Sequence, residues 1–363
     1  MNSKRLLEDV RVIDLSQYIP GPFATRQLAD LGAEVIKIEP PAGDPMRFFM
    51  HTEEDELSPI YRHLNRGKRI CKLDLKSKPD REALCELIAD ADILFESFRP
   101  GVLARLGFDR DRLDKINPAL IHCALSGYGQ SGPYARRAGH DINYCALSSQ
   151  SIVSGTAEQP VIGYPPIADH AAAMQASIAM LAALHARTSS HGSTYLDISM
   201  TESILAWQYL PILTQTEERA SSILNGGAAC YNLYQCADGR FISLGAIETA
   251  FWKNFCGALN KPEWIGRQFE AMPQQSLIAD VAAVIYDHPQ VYWRKLLDGV
   301  DCCFEGLFAA DELTQHAQLK VRQALTENGP AYPAWINNQP VEITVEVEQI
   351  KSRHQLHWNS IDS

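Results

Sequence analysis

Two short segments of the chain carry side chains that can move protons. The first, AGHDINY at residues 138–144, places His140 after a glycine and before a helix-like stretch. The second, PIAD at residues 166–169, places Asp169 at the start of a long alanine-rich helical pattern. A histidine and a carboxylate can remove a proton from one face of a carbon and return one to the other face. The pair therefore indicates acid–base chemistry.

Each of these side chains also has a structural interpretation. Aspartate is a favoured N-cap, so Asp169 could simply cap the helix that follows it. A single histidine in a turn is usually structural, although imidazoles ordinarily titrate near pH ~6.5, which suits proton transfer at neutrality. For His140 and Asp169 the local sequence leaves both interpretations open.

The N-terminal region predicts a strand–helix–strand unit. Alternating β-branched residues predict a strand over Val10–Leu15, helical spacing predicts a helix over Phe23–Leu31, and a second strand follows at Ala33–Glu39. Pro20–Pro22 is expected to break the chain before the helix. Such a unit implies parallel strands with a right-handed crossover. The glycine fingerprint of dinucleotide-binding folds is missing, so the unit does not indicate NAD or FAD.

The rest of the chain continues this alternation and then changes character. Further strands are predicted at 69–75, 91–96, 120–126 and 195–199, and helices at 79–89, 102–106, 166–187 and 202–213. We therefore predict a Rossmann-like α/β large domain over residues 1–213. A polar linker is expected at 214–229, and a hairpin at 231–245 opens a smaller α/β domain over 230–315. A β-like run lies at Val341–Val347.

Composition excludes several classes of protein. The net charge of −11 argues against nucleic acid as a partner, because no global basic field exists to neutralise phosphates. Nine scattered cysteines without a C-x-x-C pattern indicate reduced thiols and no metal site. The N-terminus lacks a signal-peptide pattern, and no apolar run reaches ~20 residues, so we expect a cytoplasmic protein without a membrane span.

Several ordered motifs within residues 8–260 resemble one known family, the CoA-transferase family III (CaiB/BaiF-like) proteins. They are Val12–Ser16, Gly21–Pro22, Leu31–Pro40, Asn65–Arg69, Leu73–Lys76, Glu96–Gly101, Leu106–Gly107 and Ser126–Pro133. Within that family, the segment Gly139–Tyr144 resembles the α-methylacyl-CoA racemase branch, because formyl-CoA-type transferases usually lack the histidine.

This resemblance implies an acyl-CoA substrate and an intertwined homodimer, with residues 316–363 returning to the large domain. Coenzyme A would be part of the substrate, with no tightly bound cofactor. Asp169 would be a general base in a racemase and a covalent nucleophile in a transferase, and Glu248 would orient His140. Ala171–Ala173 follow Asp169 where relatives often carry glycines, which predicts a narrower pocket.

A set of cations is expected to hold the phosphates of coenzyme A, because Arg forks and Lys charges bind phosphate. The candidates are Lys37, Arg66, Lys68, Arg69, Arg99 and Arg105. By resemblance, Asp74 borders the adenine.

The sequence thus predicts an acyl-CoA racemase or epimerase that acts on the α-carbon of 2-methylacyl-CoA-type thioesters. Backbone N–H groups at the helix start of Asp169 are expected to stabilise the enolate. One alternative is CoA transfer between carboxylic acids with Asp169 as the nucleophile. An alternative of another class is a non-catalytic CoA-binding protein.

Overall fold

The computed structural model describes residues 5–50, 57–187 and 192–359. The strands are β1 (Arg11–Asp14), β2 (Glu34–Glu39), β3 (Arg69–Lys72), β4 (Ile93–Glu96), β5 (Ile121–Ser126), β6 (Thr194–Ser199), β7 (Tyr231–Gln235), β8 (Phe241–Gly245), β9 (Phe304–Gly306), β10 (Leu325–Thr326), β11 (Gly329–Pro330), β12 (Trp335–Ile336), β13 (Gln339–Pro340) and β14 (Glu348–Ile350).

The α-helices are α1 (Pro20–Asp30), α2 (Pro59–Asn65), α3 (Lys78–Ala89), α4 (Val102–Arg105), α5 (Arg110–Ile116), α6 (Asp141–Leu147), α7 (Gln150–Val153), α8 (Ile167–Arg187), α9 (Met200–Trp207), α10 (Tyr209–Thr214), α11 (Thr249–Ala258), α12 (Gln275–Tyr286), α13 (Gln290–Leu297) and α14 (Ala317–Val321). Short 3-10 helices lie at Pro45–Phe48, Ile223–Asn225, Pro262–Arg267, Ala310–Gln315 and Arg353–Gln355.

The chain forms two compact units. The first comprises residues 1–148, 164–207 and 317–363, and the second comprises residues 149–163 and 208–316. Residues 149–163 and 208–213, which we assigned to the large domain, therefore belong to the second unit, as does the expected linker at 214–229. The helix predicted over 202–213 is divided between α9 and α10, because Pro211 has no N–H to donate to the Trp207 carbonyl.

The first unit is built on a seven-stranded sheet with the order β14-β3-β2-β1-β4-β5-β6. Every neighbouring pair in it is parallel. The chain runs outward from β1 to β3 and then returns to β4, so the strand order reverses between β1 and β4. This is the strand order of a doubly wound α/β fold, and it confirms the predicted large parallel sheet.

Helix α1 begins earlier than the sequence suggested. Pro20–Pro22 forms its first turn instead of breaking the chain, since proline fits the first turn of a helix. Gly21 is required there by packing, because a Cβ at this position would lie 2.8 Å from the Phe95 ring. The turn thus brings the start of α1 directly against β4.

Helix α8 is the core helix of the first unit. Its buried Ala172, Ala176 and Met180 pack with Ala24 and Leu28 of α1 and with the sheet. By length and composition α8 would also suit a membrane span, the one such helix in the described ranges, although we expected none. Its small buried face, packed closely on α1 and the sheet, is that of a core helix.

The end of the chain returns to the first unit through β14, which pairs in parallel with β3. The β-like run Val341–Val347 does not form a strand; it precedes β14, and within it the Glu346 carbonyl accepts a hydrogen bond from the Gly67 N–H at 2.8 Å.

The second unit has a three-stranded antiparallel sheet in the order β7-β8-β9. The predicted hairpin at 231–245 supplies β7 and β8. The core of the unit includes Trp252, Phe255, Trp264 and Trp293.

Candidate active site

The loops that follow β1 and β4 meet at the point where the strand order reverses. The Gln17 N–H donates to the Ser97 Oγ at 3.3 Å, which joins the two loops. Ligands of doubly wound sheets bind at this position, outside the carboxyl ends of the strands. A ligand is therefore expected to bind near Tyr18 and Arg99, which lie in these two loops.

His140 lies beside this loop pair, at the start of α6. Its backbone is extended, and its N–H donates to the Asn143 Oδ1 at 3.0 Å. Its exposed imidazole stands edge-on to the Tyr18 ring, with 6.2 Å between the ring centroids. Tyr18 has a left-handed backbone with φ of 64°, which few non-glycine residues adopt. The imidazole is thus open to solvent at the edge of the sheet where ligands bind.

The loop before His140 is fixed by a buried tyrosine. The Tyr144 hydroxyl donates to the Gly139 carbonyl at 2.7 Å, and its ring stands edge-on to Tyr128 at 5.2 Å. A Cβ at Gly139 would lie 2.8 Å from the Tyr144 ring, so only glycine fits. The glycine and tyrosine of the GHDINY segment therefore act together to hold His140 in place.

Asp169 lies in the first turn of α8 and is partly buried. The Asp141 Oδ1 accepts hydrogen bonds from the N–H groups of Ala168, at 2.7 Å, and Asp169, at 3.1 Å. Asp141 thereby caps α8 from the first position of α6. Since His140 directly precedes Asp141, this cap brings the starts of both helices, and with them His140 and Asp169, to one place.

The environment of Asp169 changes its protonation. Burial, and then the charge of Asp141, raise the pKa of Asp169 to about 7. Both effects disfavour the ionised carboxylate, because water is partly excluded and a like charge lies close by. Near neutral pH the side chain is therefore available in both its acid and its base form.

Backbone N–H groups at the start of α8 were predicted to stabilise an enolate, and that role stays a prediction. Two groups of this helix start, the N–H groups of Ala168 and Asp169, donate to the Asp141 Oδ1, which caps them. Sequence reasoning missed Asp141 in this role because its partners lie 27 and 28 residues further along the chain. The one local signal was its position between the two predicted bases, within the motif of His140.

Comparison with known proteins identifies the family. The model of CoA-transferase family III matches residues 7–353. The chain belongs to CoA-transferase family III. This confirms the resemblance that the motifs indicated.

Relatives of both kinds exist within family III. The α-methylacyl-CoA racemase of Mus musculus is 33% identical over 346 residues, which cover 91% of this chain and 84% of that protein. The acetyl-CoA:oxalate CoA-transferase of Acetobacter aceti is 30% identical over 331 residues, with 88% and 85% covered. A crystal structure of a hypothetical protein from Mycobacterium tuberculosis has the same fold, with a TM-score of 0.82, 24% identity, and coverage of 98% and 99%. The protein is a family III enzyme, either a racemase or a CoA-transferase.

Two of the cations expected to bind coenzyme A in this family III enzyme are buried instead. The Lys37 Nζ lies 3.1 Å from the Asp44 carboxylate, and the Lys68 Nζ lies 3.1 Å from that of Asp14. Burial lowers the pKa of Lys68 to about 8 even though Asp14 opposes the change. Burial by itself would raise the pKa of Asp14, but the charges of Lys68 and Lys37 hold that pKa well below its usual range. Both lysines are therefore enclosed and paired with carboxylates, and neither is exposed to a phosphate at the surface.

Two arginines are also held in ion pairs, Arg66 buried and Arg69 partly exposed. The buried Arg66 guanidinium donates to both oxygens of Asp30, at 3.0 and 2.7 Å. Arg69 pairs with Glu34 at 2.8 Å across strands β3 and β2. Sequence showed the charges of these residues but not their ion-pair partners, because each partner lies about 35 residues earlier in the chain. For Arg69 the binding role stays a prediction.

The remaining predicted binding residues are accessible. Arg99 and Arg105 are exposed on either side of Gly101, after β4. Burial raises the pKa of Tyr144, and the charge of Arg99 opposes that rise, which places Arg99 near the residue that holds the His140 loop. Asp74 is partly exposed, and its Oδ1 accepts from the Lys76 N–H at 3.0 Å.

Glu248 belongs to the second unit, where it is the exposed N-cap residue of α11. Its role as the partner of His140 stays a prediction. Across residues 5–50, 57–187 and 192–359, no group of His, Cys, Asp and Glu side chains has the arrangement of a metal site.

Proposed function

We propose that this family III enzyme is an acyl-CoA racemase or epimerase that acts on 2-methylacyl-CoA-type thioesters. The observation that carries the proposal is the meeting of His140 and Asp169 at two helix starts that Asp141 joins. Racemisation by two bases needs one group on each side of the α-carbon. Asp169 suits one of these positions, because a pKa of about 7 lets it both accept and donate a proton.

The reaction proceeds in two proton transfers. The thioester carbonyl acidifies the α-C–H, and the Asp169 carboxylate takes that proton, which leaves the electron pair in the enolate. The His140 imidazolium then donates a proton to the opposite face of the α-carbon. One turnover therefore leaves Asp169 protonated and His140 neutral. In that state the enzyme can convert the other enantiomer, with neutral His140 as the base and protonated Asp169 as the acid.

The histidine beside Asp169 supports the racemase over the transferase. A two-base racemase needs a second proton-carrying group on the other side of the α-carbon, whereas a covalent nucleophile acts as a single ionised carboxylate. The raised pKa of Asp169, about 7, is compatible with both, because half of the molecules are still ionised at that pH. The transferase remains the second candidate because relatives that are CoA-transferases, such as the acetyl-CoA:oxalate CoA-transferase of Acetobacter aceti, also match this chain.

The substrate is expected to bind through its coenzyme A moiety without a tightly bound cofactor. Arg99 and Arg105 are the accessible cations beside the loop that follows β4, and they suit the phosphates of CoA. Asp74 is retained as a proposed neighbour of the adenine, and Glu248 as the group that orients His140.

Two further expectations belong to the proposal. We propose a homodimer, which is supported by the exposed apolar side chains of Ile178 on α8 and Trp207 on α9, 57% and 54% exposed. We also propose a cytoplasmic location, since every described cysteine is a free thiol. The molar mass in solution tests the first of these.

The test of the function is incubation with one enantiomer of a 2-methylacyl-CoA in deuterated water, without any acceptor acid. The racemase is expected to incorporate deuterium at the α-carbon and to form the other enantiomer. The transferase would instead form an acyl-enzyme that hydroxylamine traps, and it would move CoA to an added acid. Trapping without α-exchange would overturn the proposal in favour of the transferase, and an absence of both would favour the non-catalytic CoA-binding protein.

A further inference from the structure

Asp141 connects three parts of the site, two through its carboxylate and one through the backbone. Its Oδ1 accepts from the N–H groups of Ala168 and Asp169 at the start of α8. Its Oδ2 accepts from the Cys145 thiol, 3.6 Å away on the next turn of α6. Its backbone continues directly from His140. With both carboxylate oxygens engaged, Asp141 is placed to hold other groups and not to exchange protons with a substrate.

We infer that Asp141 is the positioning residue of the site: its carboxylate fixes the start of α8 against α6, and its charge acts on Asp169. The inference rests on the proposed function, in which Asp169 and His140 are the two bases. Because one residue binds α8 and adjoins His140, it sets the separation of the two bases.

The geometry gives the charge of Asp141 a direct route to Asp169. A carboxylate that accepts the Asp169 N–H lies within a few ångströms of the Asp169 side chain, where a like charge disfavours ionisation. Asp141 is the charged group that, after burial, raises the pKa of Asp169. A racemase benefits from this effect because its two bases must be close in proton affinity for both directions to run at neutral pH.

Other titratable groups also surround α8. Tyr144 and Cys145 of α6 both couple to Asp169, and burial raises the pKa of each, so both are neutral near pH 7. The other elements packed against α8 also carry titratable residues: Arg26 and Asp30 of α1, His122 and Cys123 of β5, Tyr195 and Asp197 of β6, and Glu202 of α9. Arg26 pairs with Asp30, and Asp197 accepts from the Gln130 N–H. Asp141 is the charged side chain among the causes that shift the pKa of Asp169, so it is the residue that the variants below change.

Two substitutions separate the position of Asp141 from its charge. Asp141→Asn keeps an oxygen that can accept both N–H groups but removes the charge. Asp141→Ala removes the charge and the cap together. Asp109→Asn is the control for a capping aspartate outside the site, because Asp109 is the N-cap of α5 and accepts from the Arg112 N–H at 3.0 Å.

The measurement is the pH profile of α-deuterium exchange from the enantiomer that Asp169 deprotonates. In Asp141→Asn the acidic limb should move to lower pH by roughly 0.5–1 unit, with the plateau rate within about threefold of wild type. In Asp141→Ala the plateau should also fall by about tenfold or more, because α8 loses its cap and Asp169 its position. Asp109→Asn should leave both the limb and the plateau unchanged. An acidic limb that stays in place in Asp141→Asn would overturn the inference.

A second measurement does not depend on turnover. The carboxylic-acid C=O band of Asp169, assigned by its loss in Asp169→Asn, can be titrated by infrared difference spectroscopy. Its midpoint should be lower in Asp141→Asn than in wild type, and equal midpoints would contradict the inference. If wild type exchanges no deuterium the proposed function fails, whereas this titration still decides whether Asp141 acts on Asp169.

Discussion

Two regions of the first unit bury charge in opposite ways. The first region contains two buried ion pairs around strands β1 to β3. Lys37 of β2 pairs with Asp44, and Lys68, just before β3, pairs with Asp14 at the end of β1. At the starts of α6 and α8, the carboxylates of Asp141 and Asp169 lie close together, and the causes that set the pKa of Asp169 include no cation. In the first region each charge has an opposite partner, whereas in the second region burial and a like charge raise the pKa of Asp169.

We interpret this difference as one of role: the paired charges contribute to stability, and the unpaired carboxyl group is suited to proton transfer. A buried charge with an opposite partner costs much to disrupt. In this region Lys68 and Lys37 hold the pKa of Asp14 well below its usual range, and Lys68, with a pKa of about 8, is mostly charged at pH 7. A partly buried carboxyl beside a like charge is less stable as an anion, and for that reason it can exchange protons at physiological pH. From sequence, Lys37 and Lys68 of the first region and Asp169 of the second were all predicted to be functional.

The largest expected effect is on catalysis. His140→Ala and Asp169→Asn should each lower the rate of racemisation by ~10²–10⁴-fold, the usual cost of losing a positioned acid or base. The measurement is circular dichroism or chiral chromatography of the acyl group with time. Glu248→Gln should lower the rate less, since the imidazole itself remains.

A comparable cost, but to folding, is expected in the paired region. Lys68→Met should lower the free energy of unfolding by about 3–5 kcal/mol, because Asp14 loses a buried counter-charge. The matched control is Lys72→Met, an exposed position of β3, the strand that directly follows Lys68; it should change the free energy of unfolding by no more than about 0.5 kcal/mol. Urea denaturation measures both. A Lys68 variant that keeps its stability but loses CoA binding would restore the original prediction for this lysine.

The site carboxylate should show the opposite sign of pH dependence to a paired one. Asp169 has a folded-state pKa of about 7, above its ordinary 3.8, so the folded state binds the proton more tightly. Its contribution to stability is therefore lost as pH rises from about 4 to about 7. Asp169→Asn removes this loss, and it should be more stable relative to wild type at pH 8 than at pH 5 by roughly 1–3 kcal/mol. Equal differences at the two pH values would argue against the raised pKa.

The smallest effect is expected at the accessible cations. Arg99→Gln should weaken CoA binding about 3–10-fold at low salt, and less at high salt, because exposed charges are screened. Lys78→Gln is the control, as Lys78 is a surface cation of α3 with its side chain 79% exposed. Calorimetry with CoA measures both. An unchanged affinity in the Arg99 variant would remove this residue from the binding site.

Elements with a contiguous pattern could be predicted from sequence. Strands β1, β2 and β5, helix α8 and the β7–β8 hairpin follow patterns that lie within a few neighbouring residues. Two boundaries were wrong because proline acts differently by position: Pro20 starts α1, whereas Pro211 divides α9 from α10. Their effect depends on which N–H the helix needs, and that is set by where the helix begins.

Of the candidate site, only the two proposed proton-transfer residues could be predicted from sequence. His140 and Asp169 stood out by type and motif, but Asp141 gained its importance from N–H groups 27 and 28 residues away. Lys68 was misassigned for the same reason, since its partner Asp14 lies 54 residues earlier. Side-chain partners across the fold, which decide whether a charge is structural or reactive, are not visible in local sequence.

The measurement that tests the central claim most directly is α-deuterium incorporation from each pure enantiomer of a 2-methylacyl-CoA. It is made with wild type, His140→Ala and Asp169→Asn. In a two-base site each enantiomer loses its proton to the group on its own side, so each variant should lose exchange from one enantiomer far more than from the other. The two variants should show opposite biases. Equal losses from both enantiomers in the His140 variant would show that His140 is structural, and would contradict the two-base account.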